Sequence, residues 1–480
     1  MQIQDRYNIL EKFILLNSIK KNNITDRVSI DSRKNVSGKA FISLSKNKEN
    51  NLKNILNAIE YGAKSIVTCF NFSRSKFKSS IPVYVDNKLN DIFYLIYSKS
   101  LEKLRYKNVI IGITGTDGKT STSLLLSKAL VNLNKKVGVI TSEGIGIYPK
   151  LKSNQYTTPP IDIVYESVFS FIAKKVDFII IECSSQGLDQ NRMQGINFDY
   201  SMITNISSDH LDYHSSFSNY IKSKMRLIDL SKHCIINYDG IKNANQIRKK
   251  YYKKISILSN NSRLTGNHIY SDNYVMYNKE KLVLSKDVLK VANKYSIYLI
   301  ILLLKKLNYS KKSILNALRG LQAIKGRRYI IKTKSRGIFI VDYAHTESSY
   351  KDIYNMINIK DYYITTLFGC GGDRDRSKRP RIAKIVNNYS NSIIFTEDNS
   401  RNEKFDSIKQ DVLNGVSSKS KFCILKSRKN AIKKIYNRSK DNHVNFILGK
   451  GNEDYILVSG QSKAHNDIKF IKNLIKNDNR

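Results

Sequence analysis

Short apolar runs alternate along this chain with segments long enough for helices, and the rhythm changes twice. Residues 1–105 mix strand-like stretches such as Lys39-Ala-Phe-Ile-Ser-Leu and Lys64-Ser-Ile-Val-Thr with helical segments. From 106 to 326, β-type runs recur at 108–114, 136–141, 176–183, 200–206 and 234–237, most of them followed by a helix-length segment. That alternation predicts a mostly parallel sheet with helices on its faces. A third series begins near Gly337-Ile-Phe-Ile-Val and continues through Tyr362-Tyr-Ile-Thr-Thr-Leu-Phe, Ser392-Ile-Ile-Phe, Phe422-Cys-Ile-Leu and Val444-Asn-Phe-Ile-Leu. It predicts a second, Rossmann-like α/β domain over 327–480, with the boundary at Lys325-Gly-Arg-Arg328. A chain of 480 residues is too long for one core, and three domains of roughly 150 residues each are expected.

The polar and glycine-rich residues follow the strand runs. Open parallel sheets bind ligands outside the carboxyl ends of their strands. Glu182 to Arg192, Thr204 to His214, Asp342 to Thr346, Gly369 to Arg376, Asp398 to Glu403 and Gly449 to Glu453 all take such positions. The most informative stretch is Gly112-Ile-Thr-Gly-Thr-Asp-Gly-Lys-Thr-Ser-Thr122, directly after Asn108-Val-Ile-Ile. A strand, a glycine turn and a helix start read as a nucleoside triphosphate site: backbone N–H groups and the helix terminus face phosphates, Lys119 adds a full charge, and the Thr120 hydroxyl suits Mg²⁺. The strict pattern wants another glycine at Ile113, so the match is to a shorter loop beginning at Gly115. Glu182 ends a strongly apolar run, where a carboxylate suits Mg²⁺. His210 in Asn205-Ile-Ser-Ser-Asp-His-Leu-Asp-Tyr-His214 offers a further ligand, and His214 alone reads as an ordinary surface histidine.

Composition changes this picture little. The net charge is +42, from 82 Lys+Arg against 40 Asp+Glu. The basic residues are scattered through every segment beside Asn, Ile and Tyr, as an AT-rich genome would produce. They form no arginine cluster with stacking aromatics, so no nucleic-acid partner is expected. A basic surface still favours a phosphate-bearing substrate. The 5 cysteines form no CxxC pair, which fits a reducing cytoplasm. The N-terminus lacks a signal-peptide pattern, and the longest apolar run, Tyr295 to Leu304, falls short of the ~20 residues that cross a bilayer, so a cytoplasmic protein without membrane insertion is expected, in monomeric form.

Taken in order, the motifs resemble those of the Mur ligases of peptidoglycan synthesis, and among them the UDP-N-acetylmuramoyl-tripeptide synthetases. They are Asp31-Ser-Arg33 with Gly38-Lys-Ala-Phe41, Thr114-Gly-Thr-Asp-Gly-Lys-Thr120, Thr157-Thr-Pro159, Glu182-x-Ser-Ser, Asp209-His-Leu-Asp-Tyr-His214, Asp342-Tyr-Ala-His-Thr346, Phe368-Gly-Cys-Gly-Gly-Asp-Arg-Asp375, Asp398-Asn-Ser-Arg401 and Gly449-Lys-Gly-Asn-Glu453. The resemblance spans nearly the whole chain. It implies an α/β protein of three domains: a smaller N-terminal UDP-binding domain (1–105), a central ATP-binding ligase domain with a P-loop-type, mostly parallel sheet (106–326), and a C-terminal Rossmann-like domain that binds an amino acid (327–480).

The activity implied is ATP-dependent addition of meso-2,6-diaminopimelate to UDP-N-acetylmuramoyl-L-alanyl-D-glutamate through an acyl phosphate. By resemblance Gly115, Thr116, Asp117, Gly118, Lys119, Thr120 and Ser121 bind ATP. Thr120, Glu182, His210 and Lys224 serve Mg²⁺, with Lys224 carbamylated so that an anion replaces a cation; Lys222 is its near competitor. The catalytic set is Lys119, Lys224 and His210. Ser32, Thr157, Thr158, Ser184, Gln190 and Arg192 hold the UDP-muramoyl-dipeptide. Arg374, Asp398, Asn399, Arg401, Gly449 and Glu453 hold the diaminopimelate, whose distal carboxylate an arginine fork can pair bidentately. The chain departs from the family pattern at Asp117, Gln186, Ser377, Ser400 and Asn452. Addition of lysine instead, a related ligase such as folylpolyglutamate synthetase, and a basic nucleic-acid NTPase are the alternative readings.

Overall fold

The computed structural model describes all residues except 1, 22, 33–35, 78–79, 106, 262–267, 279, 418–420 and 479–480. Arg33 of the first motif lies outside the described residues. The strands in chain order begin with β1 (Val28–Ser29), β2 (Ala40–Ser43), β3 (Ser65–Thr68), β4 (Val83–Val85), β5 (Val109–Thr114) and β6 (Val137–Thr141). They continue with β7 (Gly144–Ile147), β8 (Lys150–Lys152), β9 (Phe178–Glu182), β10 (Phe198–Ile203), β11 (Ser231–Asn237) and β12 (Ile255–Leu258). Next come β13 (His268–Tyr270), β14 (Tyr274–Tyr277), β15 (Glu280–Val283), β16 (Tyr329–Lys332), β17 (Ile338–Asp342) and β18 (Tyr363–Phe368). The last are β19 (Ser392–Phe395), β20 (Phe422–Ile424), β21 (His443–Leu448), β22 (Tyr455–Val458) and β23 (Gln461–Ala464).

The chain packs as two compact units. The first comprises Met1–Ile110, Lys136–Ile179 and Gly187–Asp199. Its N-terminal part holds a four-stranded sheet in the order β1-β2-β3-β4, parallel throughout. Phe41, Ile55, Ala58, Ile66 and Phe77 fill the core between this sheet and the helix Lys48–Glu60. Farther along the same unit, β6, β7 and β8 pair antiparallel. The β7–β8 hairpin carries no long apolar run and escapes the sequence pattern.

The second unit comprises Ile111–Lys135, Ile180–Gln186 and Tyr200–Arg480. Its first sheet runs β12-β11-β10-β5-β9, with β10 parallel to β5 and β11 parallel to β12. The helix Lys119–Asn132 is buried on nearly every side. It packs with the helices Lys294–Lys306 and Lys311–Leu318: Thr122 Oγ1 donates to Ser296 Oγ at 2.9 Å, and Asn132 Nδ2 to Ala317 O at 2.8 Å. In the longest apolar run, Tyr295 to Leu304, every residue from Ser296 onward is buried. Among the described residues no helix is long and apolar enough to cross a membrane. A separate antiparallel sheet, β13-β14-β15, follows β12. Its strands of three or four residues are too short and too polar to stand out in the sequence.

A six-stranded sheet, β16-β17-β21-β18-β19-β20, forms the rest of the second unit. Every pairing is parallel except that of β16 with β17. Apolar clusters cover both faces: Tyr350, Tyr354, Phe368, Val386 and Phe446 on one, Phe339, Leu367, Ile432, Ile447 and Ile471 on the other. Burial on both faces is why these strands read as continuous apolar runs rather than alternating ones.

One ionic unit lies inside this apolar surround. Arg428, 2% exposed, donates through Nε and Nη2 to Asp467, 0% exposed, at 2.9 and 2.7 Å, and His465 Nε2 lies 2.6 Å from the same carboxylate. Burial pushes the Asp467 carboxyl up, but Arg428 and His465 outweigh it and hold it well below the usual carboxylate range. Replacing Arg428 with Ala strands a buried charge and is expected to cost about 3–5 kcal/mol in urea unfolding; a loss below about 1 kcal/mol would show that the pair is not needed for stability. A folded-state value below the unfolded value of about 3.9 means that this stabilisation is present above that pH and is lost as pH falls beneath it. Acid titration of the unfolding midpoint checks this, since Asp467→Asn should flatten the acid limb.

Candidate active site

Strand β5 ends at Thr114, and the chain turns through Gly115-Thr-Asp-Gly118 into the helix Lys119–Asn132. Two glycines are needed for different reasons. Gly118 has a left-handed φ of 80°, and a Cβ on Gly115 would sit 1.8 Å from Thr204 Oγ1. The loop after β10 holds the turn. Asn205 Oδ1 accepts from the backbone N–H groups of Thr116 (3.1 Å) and Asp117 (2.8 Å), and the Asn205 carbonyl accepts from Thr116 N at 3.0 Å. Thr204 Oγ1 donates to Asp117 O at 2.6 Å, and Thr116 Oγ1 lies 2.9 Å from the Tyr220 hydroxyl. Lys119 Nζ donates to Gly115 O (3.0 Å) and Thr116 O (2.9 Å), while Ser121 follows on the first helical turn, partly exposed.

The four residues assigned to a metal surround this turn. Thr120 Oγ1 donates to Glu182 Oε1 at 2.9 Å, and Glu182 is the last residue of β9. Lys224 lies on the helix Phe217–Asp229, whose N-cap Ser216 accepts from Asn219 N. Its Nζ is buried, donates to Gly115 O at 2.7 Å and stands 4.6 Å from the Tyr220 ring centre. Lys222, two residues earlier, is exposed. Burial, reinforced by the Lys119 charge, holds the Lys224 ammonium well below the ordinary lysine range. His210 has a φ of 54°, and its Nδ1 is buried with no hydrogen-bond partner among the described residues. Burial pushes its ring down to about 4 despite the nearby Asp209, so the imidazole is neutral and keeps a lone pair for a cation. Among the described residues no three His, Cys, Asp or Glu side chains gather into a metal cage. Mg²⁺ does not require one, because it keeps waters and substrate phosphates among its ligands.

Loops at the ends of the six-stranded sheet reach this region within the second unit. Thr346 Oγ1 donates to Asp117 Oδ2 at 2.8 Å, Lys378 Nζ to Asp209 Oδ1 at 3.1 Å, and Arg374 Nη1 to Asp212 Oδ2 at 3.1 Å. Burial raises the Asp117 carboxyl, against the pull of His345 and the Thr346 hydroxyl. Burial would raise Asp209 as well, but the His345 ring, Lys378 and His210 outweigh it and hold that carboxylate well below its usual range.

The residues assigned to an amino acid form a second cluster at the ends of β18, β19 and β21. A Cβ on Gly371 would lie 3.0 Å from Arg401 Nη1 and 3.8 Å from both Arg374 Cγ and Asn399 O, so the three come together there. Arg401 spends Nη1 on Gly372 O (2.7 Å) and Asn399 O (3.3 Å), and its Nε and Nη2 make no hydrogen bond among the described residues. Asn399 is more engaged than a substrate reader need be. Its Nδ2 donates to Glu453 Oε2 at 3.0 Å, and its Oδ1 accepts from Lys450 Nζ and Leu457 N, each at 2.9 Å. Glu453 Oε1 accepts from the Tyr343 hydroxyl at 3.1 Å. Asp398 is buried beneath Gly449, where an added Cβ would stand 2.6 Å from Asp398 Oδ2.

The residues assigned to a muramoyl dipeptide divide between the units. Within the first, Arg192 Nη1 donates to the Thr158 carbonyl at 2.5 Å, its Nε and Nη2 grip Gln190 Oε1 at 3.0 and 2.6 Å, and its guanidinium lies 5.6 Å from the Tyr156 ring centre. Thr157 stands beside Thr158 in the same segment, and Ser32 is buried just after β1. Ser184 belongs to the second unit, two residues after Glu182. The sequence reading gave no role to Asn205, Asp209, Thr346, Lys378 or Lys450. All but Lys378 fall within quoted motifs, yet each has a partner between 51 and 229 residues away.

Residues 113–297 match the family model of the Mur ligase middle domain, and residues 326–451 match that of the Mur ligase, glutamate ligase domain. A UDP-N-acetylmuramoyl-L-alanyl-D-glutamate--2,6-diaminopimelate ligase from Wigglesworthia glossinidia brevipalpis is 34% identical over 466 residues, 92% of this chain and 91% of that protein. A ligase of the same name from Helicobacter pylori (strain J99) is 33% identical over 383 residues, 78% of this chain and 85% of that protein. The fold is shared with a solved structure of another such ligase at 23% identity, with a TM-score of 0.66 over 94% of this chain and 95% of that one. It is shared also with Escherichia coli FolC in complex with DHPP and ADP, 12% identical, with a TM-score of 0.58 over 80% and 92%. The ordered match of two family models, joined to a relative 34% identical across 92% of the residues, places the chain in the Mur ligase family.

Proposed function

We propose that this Mur ligase joins meso-2,6-diaminopimelate to UDP-N-acetylmuramoyl-L-alanyl-D-glutamate at the expense of ATP. The observation that carries the reading is the presence, in one unit, of a phosphate loop bearing Lys119 and a cluster of Arg401 and Glu453, braced by Asn399, suited to a zwitterion with a second carboxylate. The relatives named as diaminopimelate ligases match nearly the whole chain. A division into three domains near 105 and 326 is part of this reading, supported by separate family-model matches to 113–297 and 326–451.

The γ-phosphoryl group of ATP passes to the free carboxylate of the D-glutamyl residue, releasing ADP. Lys119 stabilises the charge that spreads over the phosphoryl oxygens, and the loop positions the donor. The amino group of diaminopimelate then attacks the acyl phosphate, and the tetrahedral adduct expels phosphate to leave the amide. Thr120, Glu182, His210 and a carbamylated Lys224 are the residues to hold Mg²⁺; the orphaned His210 Nδ1 and the Thr120–Glu182 oxygen pair fit it. When bound, it neutralises charge on the phosphates. Carbamylation needs an unprotonated amine, and the buried Lys224 is held toward that form. Arg192, Gln190, Thr157, Thr158, Ser184 and Ser32 bind the nucleotide-linked dipeptide in this reading. Arg401 offers Nε and Nη2 to the distal carboxylate of diaminopimelate, a group that lysine lacks.

Phosphate release from purified protein with ATP, Mg²⁺ and UDP-N-acetylmuramoyl-L-alanyl-D-glutamate should depend on diaminopimelate and be small with lysine; turnover with lysine alone would overturn the specificity. Arg401→Ala should lower kcat/KM for diaminopimelate by about 10–100-fold, as expected for a lost charged hydrogen-bonding pair, with nucleotide binding retained. Asn205→Ala removes the acceptor shared by two loop amides and should raise the KM for ATP about tenfold. An unchanged ATP titration would mean that the loop keeps its shape without that side chain.

A further inference from the structure

The segment His465-Asn-Asp467 begins the last helix, Asp467–Asp478, and lies against the loop Gly449–Asp454. Asn466 Oδ1 accepts from Lys469 N at 2.9 Å, which caps the helix. Its Nδ2 turns the other way and reaches Asn452 O (3.2 Å), Glu453 O (3.3 Å) and Asp454 Oδ1 (3.2 Å). One side-chain amide thus grips the two carbonyls that flank the Glu453 Cα. The neighbours of Asn466 hold the ends of the same loop. His465 N donates to Asp454 O at 2.9 Å, and Arg428, paired with Asp467, donates to Leu448 O at 2.9 Å.

Capping alone does not call for asparagine, because the oxygen of Ser, Thr or Asp serves equally well. The NH₂ group is the additional feature, and all its acceptors belong to the loop that presents Glu453. The Glu453 carboxylate is held from the other side by Tyr343, Asn399 and the buried ammonium of Lys450. We propose that Asn466 is a positioning residue for the amino-acid substrate: it touches no reacting atom but fixes the backbone from which Glu453, with Arg401, reads the incoming amino acid. The proposal rests on the reading of that cluster as the diaminopimelate site.

Asn466→Asp separates the two roles. The substituted side chain keeps the capping oxygen, and a carboxylate at a helix N-terminus is favourable, but its second oxygen faces two carbonyls and Asp454 where a donor had been. The KM for diaminopimelate should rise about tenfold, the factor that corresponds to ~1.4 kcal/mol, with the KM for ATP, kcat at saturating amino acid and the thermal midpoint nearly unchanged. Amide hydrogen exchange over residues 449–458 should quicken relative to the native protein. Unchanged KM for diaminopimelate and unchanged exchange would overturn the proposal, as would an equal rise in both KM values or a collapse of the thermal midpoint. If the native protein itself shows no turnover with diaminopimelate, the functional reading fails, and the exchange measurement still decides whether Asn466 holds the loop.

Discussion

The absence of a side chain at Gly115 is the constraint on which the candidate site depends. Only there can the turn after β5 lie against Thr204, and that approach brings Asn205 under the amides of Thr116 and Asp117. The same turn offers the Gly115 carbonyl to Lys119 and Lys224. Burial first, and then the neighbouring Lys119 ammonium on the same carbonyl, shift Lys224 toward the neutral amine. The shape of a glycine turn thereby contributes to the electrostatics of a lysine more than 100 residues away in sequence.

Charge is treated differently in the two halves of the second unit. Around the glycine turn, cations and carboxylates are interleaved: Lys378 pairs with Asp209 and Arg374 with Asp212, while Lys119 and Lys224 share the Gly115 carbonyl close to Asp117 and Asp209. In the six-stranded sheet, the buried arginines are each paired with carboxylates. Arg379 forks onto Glu403 and adds Asp411, and Arg428 forks onto Asp467. The Arg379 fork also reaches Gly371 O, and Glu403 accepts from Asp373 N, so the network underlies the loop beside Arg401. Buried pairs of this kind hold geometry more than they add stability.

The strands with two covered faces were legible in the sequence, since β5, β9, β18 and β21 are continuous apolar runs with a polar motif at each carboxyl end. The glycine turn between β5 and the helix Lys119–Asn132 was legible as well, because its glycines and Lys119 act locally. What escaped notice was short or non-local. The β7–β8 hairpin and the sheet of β13, β14 and β15 are built of strands too brief for a periodic signal. Asn205 and Lys378 carry no local mark of their partners at Thr116 and Asp209. Asn399 has a role that its tetrapeptide does not announce: both ends of its amide join Glu453, Lys450 and Leu457, partners that local sequence does not mark.

The helix that opens at Lys119 is sealed by residues far downstream, through Thr122 to Ser296 across 174 positions and Asn132 to Ala317 across 185. Contacts of such separation come late, because closing the intervening loop costs entropy before anything is gained. During synthesis the glycine turn leaves the ribosome early but lacks the packing that stiffens it until the segment up to Leu318 has followed. The nascent chain therefore carries a lysine-bearing turn on an unsealed apolar helix for well over a hundred residues of elongation, which makes this interval, rather than the finished fold, the stage most exposed to aggregation.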